Sequence, residues 1–274
     1  MTIRNILVPV ADRPECANAL KTAFHLANRL EANVTGAHIR AHADDKVSIP
    51  ASVAKDAEKL SQKAEKMFVA AAKAEGLEKT IRPRKSGASV AWKELKGAVD
   101  ILLPIIGQMS DLIVVSRPKS KKKDTAKRFL EGALLHTGRP VLVLPQSGSS
   151  FKGDVIAIAW DRSPVAARAV KLAMPLLATA KEVHIIEIAD SLKQGPKAAD
   201  LSSYLGWHGV SCKTHNIKRG KASTSTALID GVKACKADTL VLGAYTRNRF
   251  SETIFGGVTD YMSYEAKIPV IMAR

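Results

Sequence analysis

The two halves of this sequence repeat one pattern. An apolar run, an acidic residue and then helical spacing occur in NILVPVADRPECANALKTAFHLA and again in DVIAIAWDRSPVAARAVKLAMPLL. Further along, SDLIVVSRP corresponds to ADTLVLGAY, and GRPVLVLP corresponds to KIPVIMAR. Self-similarity over so long a segment indicates a duplicated domain.

Each copy is predicted to contain five strands that alternate with four helices. The runs LIVV, TLVL and PVLVL are continuously apolar, as is typical of strands buried on both faces. Alternation with helices implies right-handed crossovers and a parallel, doubly wound sheet. We therefore predict an α/β protein with two tandem doubly wound domains, 1–146 and 151–274, each with a five-stranded parallel sheet. The Gly/Ser-rich segment PQSGSS has the composition of a linker between them.

Composition narrows the class of protein. The chain has 274 residues and a net charge of +16, which creates a positive field that attracts nucleotides, nucleic acid or anionic surfaces. Its apolar runs are shorter than the roughly 18 to 20 residues of a membrane span, and the N-terminus lacks a secretory pattern. Three cysteines without a CxxC pair indicate reduced thiols. The sequence predicts a cytoplasmic protein that does not enter membranes.

A candidate ligand site follows from this fold. Doubly wound sheets bind ligands at the carboxyl ends of their strands, where the strand order reverses. Asp161 follows the first strand of the second copy, and Gly243 ends its fourth strand. If those strands are neighbours, Asp161 and the loop GAYTRNRFSETIFGGVTD line one crevice.

On these residues the chain resembles the universal stress protein family, in its tandem form. The features that carry the resemblance are a strand leading to Asp, a strand ending in Gly-x-Tyr, and a final strand such as PVLVLP. The resemblance implies a Rossmann-like fold of the adenine nucleotide alpha-hydrolase type and a stress-response protein that binds ATP or a related adenine nucleotide, with or without Mg²⁺. Because family members pair their last strands across a dimer, VLVLP and VIMAR are expected to pair within this chain as a pseudo-dimer. A monomer and a dimer of tandem chains both stay open.

The nucleotide-binding branch of that family carries the motif Gly-x-x-Gly-x9-Gly-Ser/Thr, and Gly243 and Gly256 occupy its first and last glycines. Thr246 stands at the second glycine and Gly257 at the hydroxyl position, which Thr259 would replace only in a shifted turn. Arg247 and Arg249 add charge that favours a triphosphate. The predicted nucleotide-contacting residues are Trp160, Asp161, Gly243, Thr246, Arg247, Arg249, Gly256, Gly257 and Thr259.

The same loop is also compatible with a connection that binds nothing, because glycines also serve close helix–sheet packing. The first copy lacks the glycines: alignment from the last strand places Lys127 and Arg128 opposite Gly256 and Gly257. Asp12 is then expected to be a turn residue or a helix cap. Trp160 is open to two interpretations, as a packing residue or as an edge against a nucleotide base.

The alternative hypothesis is an interaction module that binds no nucleotide. Its basic N-terminal domain would contact nucleic acid or an acidic protein through the cluster Lys119–Lys123, although such a run is also typical of a solvated loop. No catalytic residue is predicted, and at most slow ATP hydrolysis stays open. No metal site is predicted either: His208 and Cys212 would share one face of a strand, and His215 the other.

Overall fold

The structure is a computed structural model that describes residues 2–11, 13, 15–40, 51–80, 86–119, 125–146, 151–245 and 257–274. The chain forms two compact units, Thr2–Arg139 and Pro140–Arg274. Both are built mainly from parallel strands that alternate with helices, so the predicted α/β class is confirmed. Among the described helices, none has both the length and the apolar character that a bilayer span requires.

The first unit has the strand order β3-β2-β1-β4, with every pairing parallel. The two central strands, β1 and β4, are buried on both faces, which explains their apolar sequences. Its described elements are β1 (Asn5–Pro9), α1 (Cys16–Leu30), β2 (Asn33–Arg40), α2 (Ala51–Ala74), β3 (Ser89–Lys96), α3 (Val99–Gly107), β4 (Leu112–Ser116) and α4 (Thr125–His136).

The second unit has the strand order β5-β10-β9-β6-β7-β8. The five strands of the second copy, β6 to β10, are parallel, as predicted. The described strands and α-helices are β5 (Val141–Leu144), β6 (Val155–Ala159), α5 (Pro164–Leu177), β7 (Glu182–Ile188), α6 (Ala198–Trp207), β8 (Cys212–Ile217), α7 (Thr224–Ala234), β9 (Thr239–Gly243), α8 (Gly257–Tyr264) and β10 (Val270–Ala273), and a 3-10 turn, Ala189–Ser191, follows β7. Ser163 caps α5 by accepting a hydrogen bond from the Ala166 N–H, and Pro164 begins the helix.

The last strands of the two copies pair with each other. β5 is antiparallel to β10, with Leu142 opposite Ile271. The expected pairing of VLVLP with VIMAR is therefore present within the chain. Because β5 is hydrogen-bonded to β10, the compact units divide before this strand, whereas the sequence repeat divides after it.

In both copies, a carboxylate just before the fourth strand accepts backbone hydrogen bonds from the start of the first strand. Asp111 accepts hydrogen bonds from the backbone N–H groups of Arg4 and Asn5, at 2.8 and 2.9 Å. Asp238 does the same for Asp154 and Val155, both at 3.0 Å. The repeat thus extends to the way in which first and fourth strands are joined.

Candidate functional site

A cleft of about 310 Å³ lies in the second unit at the carboxyl ends of β6 and β9. These strands are parallel neighbours, and the strand order reverses between them. The volume is at the lower end of the ~300–1,000 Å³ range of small-molecule sites. The described lining residues are Ala159, Trp160, Asp161, Ile186, Ile188, Ser191, Leu192, Thr224, Leu228, Leu242, Gly243, Gly257, Val258 and Thr259.

Asp161 is the only carboxylate among the described residues that line this cleft. One of its oxygens accepts the Ser163 backbone N–H at 3.0 Å, and the other accepts the Lys193 ammonium. Burial opposes ionisation, but the hydrogen bonds from Lys193 and Ser163 outweigh it and hold the pKa of Asp161 below its ordinary value. The carboxylate is therefore ionised at neutral pH.

Gly243 brings β9 close to the start of α5. A Cβ at this position would lie 2.7 Å from the Ala166 nitrogen and 2.8 Å from the Val165 carbonyl carbon. Both are backbone atoms, so a larger residue would push the helix away from the strand. Helix–strand packing thus explains this glycine whether or not a ligand is bound.

Two non-glycine residues beside the cleft have left-handed backbone conformations. Arg162, which follows Asp161, has φ +65°, and Tyr245, which follows β9, has φ +59°. Each non-glycine residue held in this conformation destabilises the folded state by roughly 1–3 kcal/mol, and such residues cluster at ligand sites. The Arg162 guanidinium is held in place by a bidentate pair with the buried Glu187, with donor–acceptor distances of 2.8 and 3.2 Å.

The first turn of α8 forms another wall of the cleft. Gly257 begins the helix, and the position of an added Cβ there is open space. Its carbonyl accepts a hydrogen bond from the Ser225 hydroxyl at 3.2 Å. Thr259, two residues on, is buried and lines the cleft. The free N–H groups of a helix start form an anion-binding position.

Trp160 packs into the core rather than standing free at the cleft. Its side chain is 4% exposed, and its indole N–H donates to the Pro196 carbonyl at 2.9 Å. The indole still forms part of the cleft wall. Trp160 thus packs in the core and also borders the cleft, and its contact with a nucleotide base stays a prediction.

Five of the nine predicted site residues line the cleft: Trp160, Asp161, Gly243, Gly257 and Thr259. The other four lie outside the described residues: Thr246, Arg247, Arg249 and Gly256.

Sequence reasoning missed three polar side chains at the site. Lys193 binds Asp161, and the Ser191 and Thr224 hydroxyls lie 2.9 Å apart on the cleft wall. A Ser-Thr pair at the start of α7 was a readable sign of a helix N-terminus, because Ser223 caps it. Nothing in the sequence pattern linked Lys193 to an aspartate that lies 32 positions earlier.

The corresponding crevice of the first unit is nearly filled, with about 20 Å³ of space between β1, β4 and α4. Phe129 of α4 lines it and is 6% exposed. Asp12 lies outside the described residues, as do Lys121, Lys122 and Lys123 of the basic cluster. Lys119 pairs with Glu15 at 2.8 Å.

The residues of HGVSCKTH do not form one group. The Cys212 thiol lies 3.2 Å from the Ser202 hydroxyl, and the His208 ring packs against Tyr204 with centroids 4.9 Å apart. His215 instead lies against His184 of the neighbouring strand. His215 has different partners from Cys212, in agreement with its predicted place on the other face of the strand. The prediction that His208 shares a strand face with Cys212 is wrong, because His208 is the C-cap residue of α6 and β8 begins at Cys212.

Comparison with known proteins identifies the family. The universal stress protein family model matches residues 2–144, which is more than half of the 274 residues. The chain therefore belongs to the universal stress protein family. The matched region is the first copy, whereas the partial nucleotide motif lies in the second.

Solved structures share the fold at low sequence identity. A universal stress protein from Archaeoglobus fulgidus is similar with a TM-score of 0.75 and 15% identity, covering 100% of this chain and 97% of that chain. A functionally unknown protein from Pseudomonas aeruginosa has a TM-score of 0.56 and 16% identity, covering 99% and 92%. A search of curated protein sequences gave no significant match.

Proposed function

We propose that the second unit is a nucleotide-binding module that takes ATP or a related adenine nucleotide into the cleft between β6, β9 and α8. One observation carries the proposal: Asp161, Gly243 and the first turn of α8 meet at the point where the strand order reverses. This is the place where doubly wound sheets bind ligands.

The walls of the cleft suit the two ends of a nucleotide. Ile186, Ile188, Leu228 and Leu242 supply an apolar surface of the kind that binds a flat base. Asp161 is an ionised acceptor at the mouth, which suits a ribose hydroxyl. We place the adenosine part on this side of the cleft.

The phosphates belong at the start of α8 in this proposal. Gly257 leaves the helix-initiating N–H groups accessible because it has no Cβ, and the Ser191 and Thr224 hydroxyls line the cleft as well. The proposed phosphate site also includes four residues that are assigned from their positions in the family motif alone, namely Thr246, Arg247, Arg249 and Gly256. Mg²⁺ would accompany the phosphates as a counterion.

Binding rather than turnover is the proposed role. Asp161, the one carboxylate in the described part of the cleft, is held by Lys193 and Ser163. A base held in this way is poorly placed to activate water. We therefore propose a stress-response protein whose occupancy by nucleotide, rather than product formation, carries the signal to a protein partner.

Equilibrium dialysis of the full chain with ATP, with and without Mg²⁺, tests the proposal. We expect one ATP per chain and at least about tenfold weaker binding in Gly257→Val, because the side chain would stand over the phosphate position. Gly206→Val is the matched control, since Gly206 is an exposed helical glycine with equally open space around it. Absence of ATP binding, or equal affinity in the two variants, would contradict the proposal.

A further inference from the structure

We propose that His184, His215 and Cys235 form a binding site for a borderline-soft divalent cation, with Zn²⁺ as the fitting ion. The three side chains each offer one ligand atom, and these atoms lie within 4.8 Å of one another. The site lies at the far end of α7 from the nucleotide cleft. Thr224 of the cleft begins that 11-residue helix, and Cys235 directly follows its last residue, about 16 Å away.

The fold brings these three residues together from separate elements. His215 of β8 lies opposite Ile186 of β7, and His184 is two positions before Ile186, so both imidazoles share one face of the sheet. Helix α7 covers that face closely, because a Cβ at Gly231 would lie 2.5 Å from the Ile217 side chain. Cys235 is one turn after Gly231, and its thiol lies within 4.8 Å of a ligand nitrogen of each ring.

The ligand atoms must move to hold an ion: the two ring nitrogens have to separate, and the widest ligand separation, up to 4.8 Å, has to shorten. His184 Nδ1 and His215 Nε2 are 2.9 Å apart, and their ring centroids are 5.1 Å apart. Ligand atoms around a tetrahedral zinc are roughly 3.3 to 3.8 Å apart, given metal–ligand bonds of about 2.0 to 2.3 Å. Between the two nitrogens the ion would replace the one proton that they share. A slight opening of this contact gives the ion its space.

The Glu182 carboxylate, which lies near the Nε2 atom of His184, can support a metal-bound imidazole. His184 is 5% exposed, and its Nε2 atom is buried without a hydrogen bond. The Glu182 carboxylate is 3.5 Å from that atom and is itself paired with Lys213 at 2.9 Å. Histidine ligands commonly donate their second ring N–H to a carboxylate, which fixes the tautomer. If His184 coordinates the ion through Nδ1, its Nε2–H group can donate a hydrogen bond to the Glu182 carboxylate.

Binding of the ion is coupled to proton release. A cysteine binds a metal as the thiolate, so the Cys235 thiol must lose its proton to solvent when the ion binds, and affinity should rise with pH.

The ligand chemistry selects the ion. Two imidazoles and a thiolate suit Zn²⁺ or Co²⁺, whereas Mg²⁺ and Ca²⁺ prefer oxygen ligands. Three protein ligands leave a fourth position for water or a small anion. An ion here would fix the end of α7 to β7 and β8, which are already joined to each other by backbone hydrogen bonds.

Titration of the untagged full chain with Co²⁺ tests the site. We expect one Co²⁺ per chain, with the near-ultraviolet charge-transfer band of a cobalt thiolate and the intense visible bands of tetrahedral coordination. Zn²⁺ should displace the cobalt and abolish both. Absence of the thiolate band in the wild-type protein would overturn the proposal, whatever the variants do.

Two cysteine variants identify the thiolate. Cys235→Ser should lose the charge-transfer band and bind Zn²⁺ at least about tenfold more weakly, whereas Cys212→Ser should keep both. Cys212 is the matched control because its thiol contacts Ser202 instead. Circular dichroism of each variant checks that it folds. An unchanged band in Cys235→Ser, or its loss in Cys212→Ser, would place the metal elsewhere.

Discussion

The two copies of the repeat differ most at equivalent crevices. Both crevices lie at the carboxyl ends of the first and fourth strands, yet one encloses about 310 Å³ and the other about 20 Å³. Aligned from the last strand, Phe129 stands where the second copy has Val258, and both residues line their crevices. Aligned on the fourth strand instead, Ser116 stands where the second copy has Gly243. A duplicated scaffold can therefore be kept while a few side chains decide whether it has room for a ligand.

The crevices also share a feature. Each has a lysine–carboxylate pair at its mouth, namely Glu15 with Lys119 in the first copy and Asp161 with Lys193 in the second. The pairs come from different positions, because Glu15 directly precedes α1 whereas Asp161 follows β6. The charge at the mouth thus does not distinguish the copies, and the volume behind it does.

The largest expected difference concerns the side chain that fills the first crevice. Phe129→Ala should lower the free energy of unfolding by about 3–5 kcal/mol, because it empties a buried position. Val258→Ala should cost less than about 1 kcal/mol, because Val258 borders open space and is half-buried. Urea denaturation of both variants measures the contrast. Similar losses would mean that the two crevices are equally packed.

A smaller difference is expected at the end of the fourth strand. Gly243→Ala should cost about 1–3 kcal/mol, since its new Cβ would meet the α5 backbone. Ser116→Ala should cost about 1 kcal/mol through loss of the hydrogen bond from its hydroxyl to the Glu15 carbonyl. Thermal and urea unfolding would measure both losses. A neutral Gly243→Ala would show that α5 can move away from β9 freely.

The smallest difference concerns the charges at the two mouths. Asp161→Asn should lower stability at pH 7 by less than about 1 kcal/mol, because the pair is partly exposed and screened. The folded state lowers the pKa of Asp161, so this stabilisation is present above the unfolded value of about 3.9 and is lost as pH falls through the folded value. Denaturation at about pH 7 and about pH 3 should therefore show the gap between wild type and variant closing in acid.

Glu15→Gln is the matched variant for the first copy. Burial opposes ionisation of Glu15, but its contacts with Lys119 lower its pKa, so the same sign applies. Added salt should reduce both effects at pH 7. A gap that widens in acid for either variant would contradict the assigned pKa direction.

The architecture could be predicted from the sequence because the repeat and the apolar strand patterns do not depend on individual side-chain contacts. Continuous runs such as TLVL predict buried parallel strands, and the match between PVLVL and PVIMA identifies the last strand of each copy. The order reversal then placed Asp161 and Gly243 in one crevice, and the structure has these residues lining the same cleft.

The features that the sequence did not predict arise from contacts between distant segments, or from a shift of one residue relative to the end of a strand. Lys193 reaches Asp161 from an irregular segment without periodicity, and His184 meets Cys235 only through the packing of α7 on the sheet. Register also matters: Asp161 is the second residue after β6, whereas the second residue after β1 is Ala11 and Asp12 is the third. The two aspartates that looked equivalent thus differ by one position from the strand ends.

The pairing of β5 with β10 has a consequence for how the chain avoids unwanted association. A terminal strand of a parallel sheet exposes a row of unpaired N–H and C=O groups that can recruit a strand from another molecule. Here β5 occupies that edge of β10 from within the same chain. Because the two strands are covalently connected, dilution does not separate them. The edge of β10 is thus capped at any protein concentration, without the need for a second molecule.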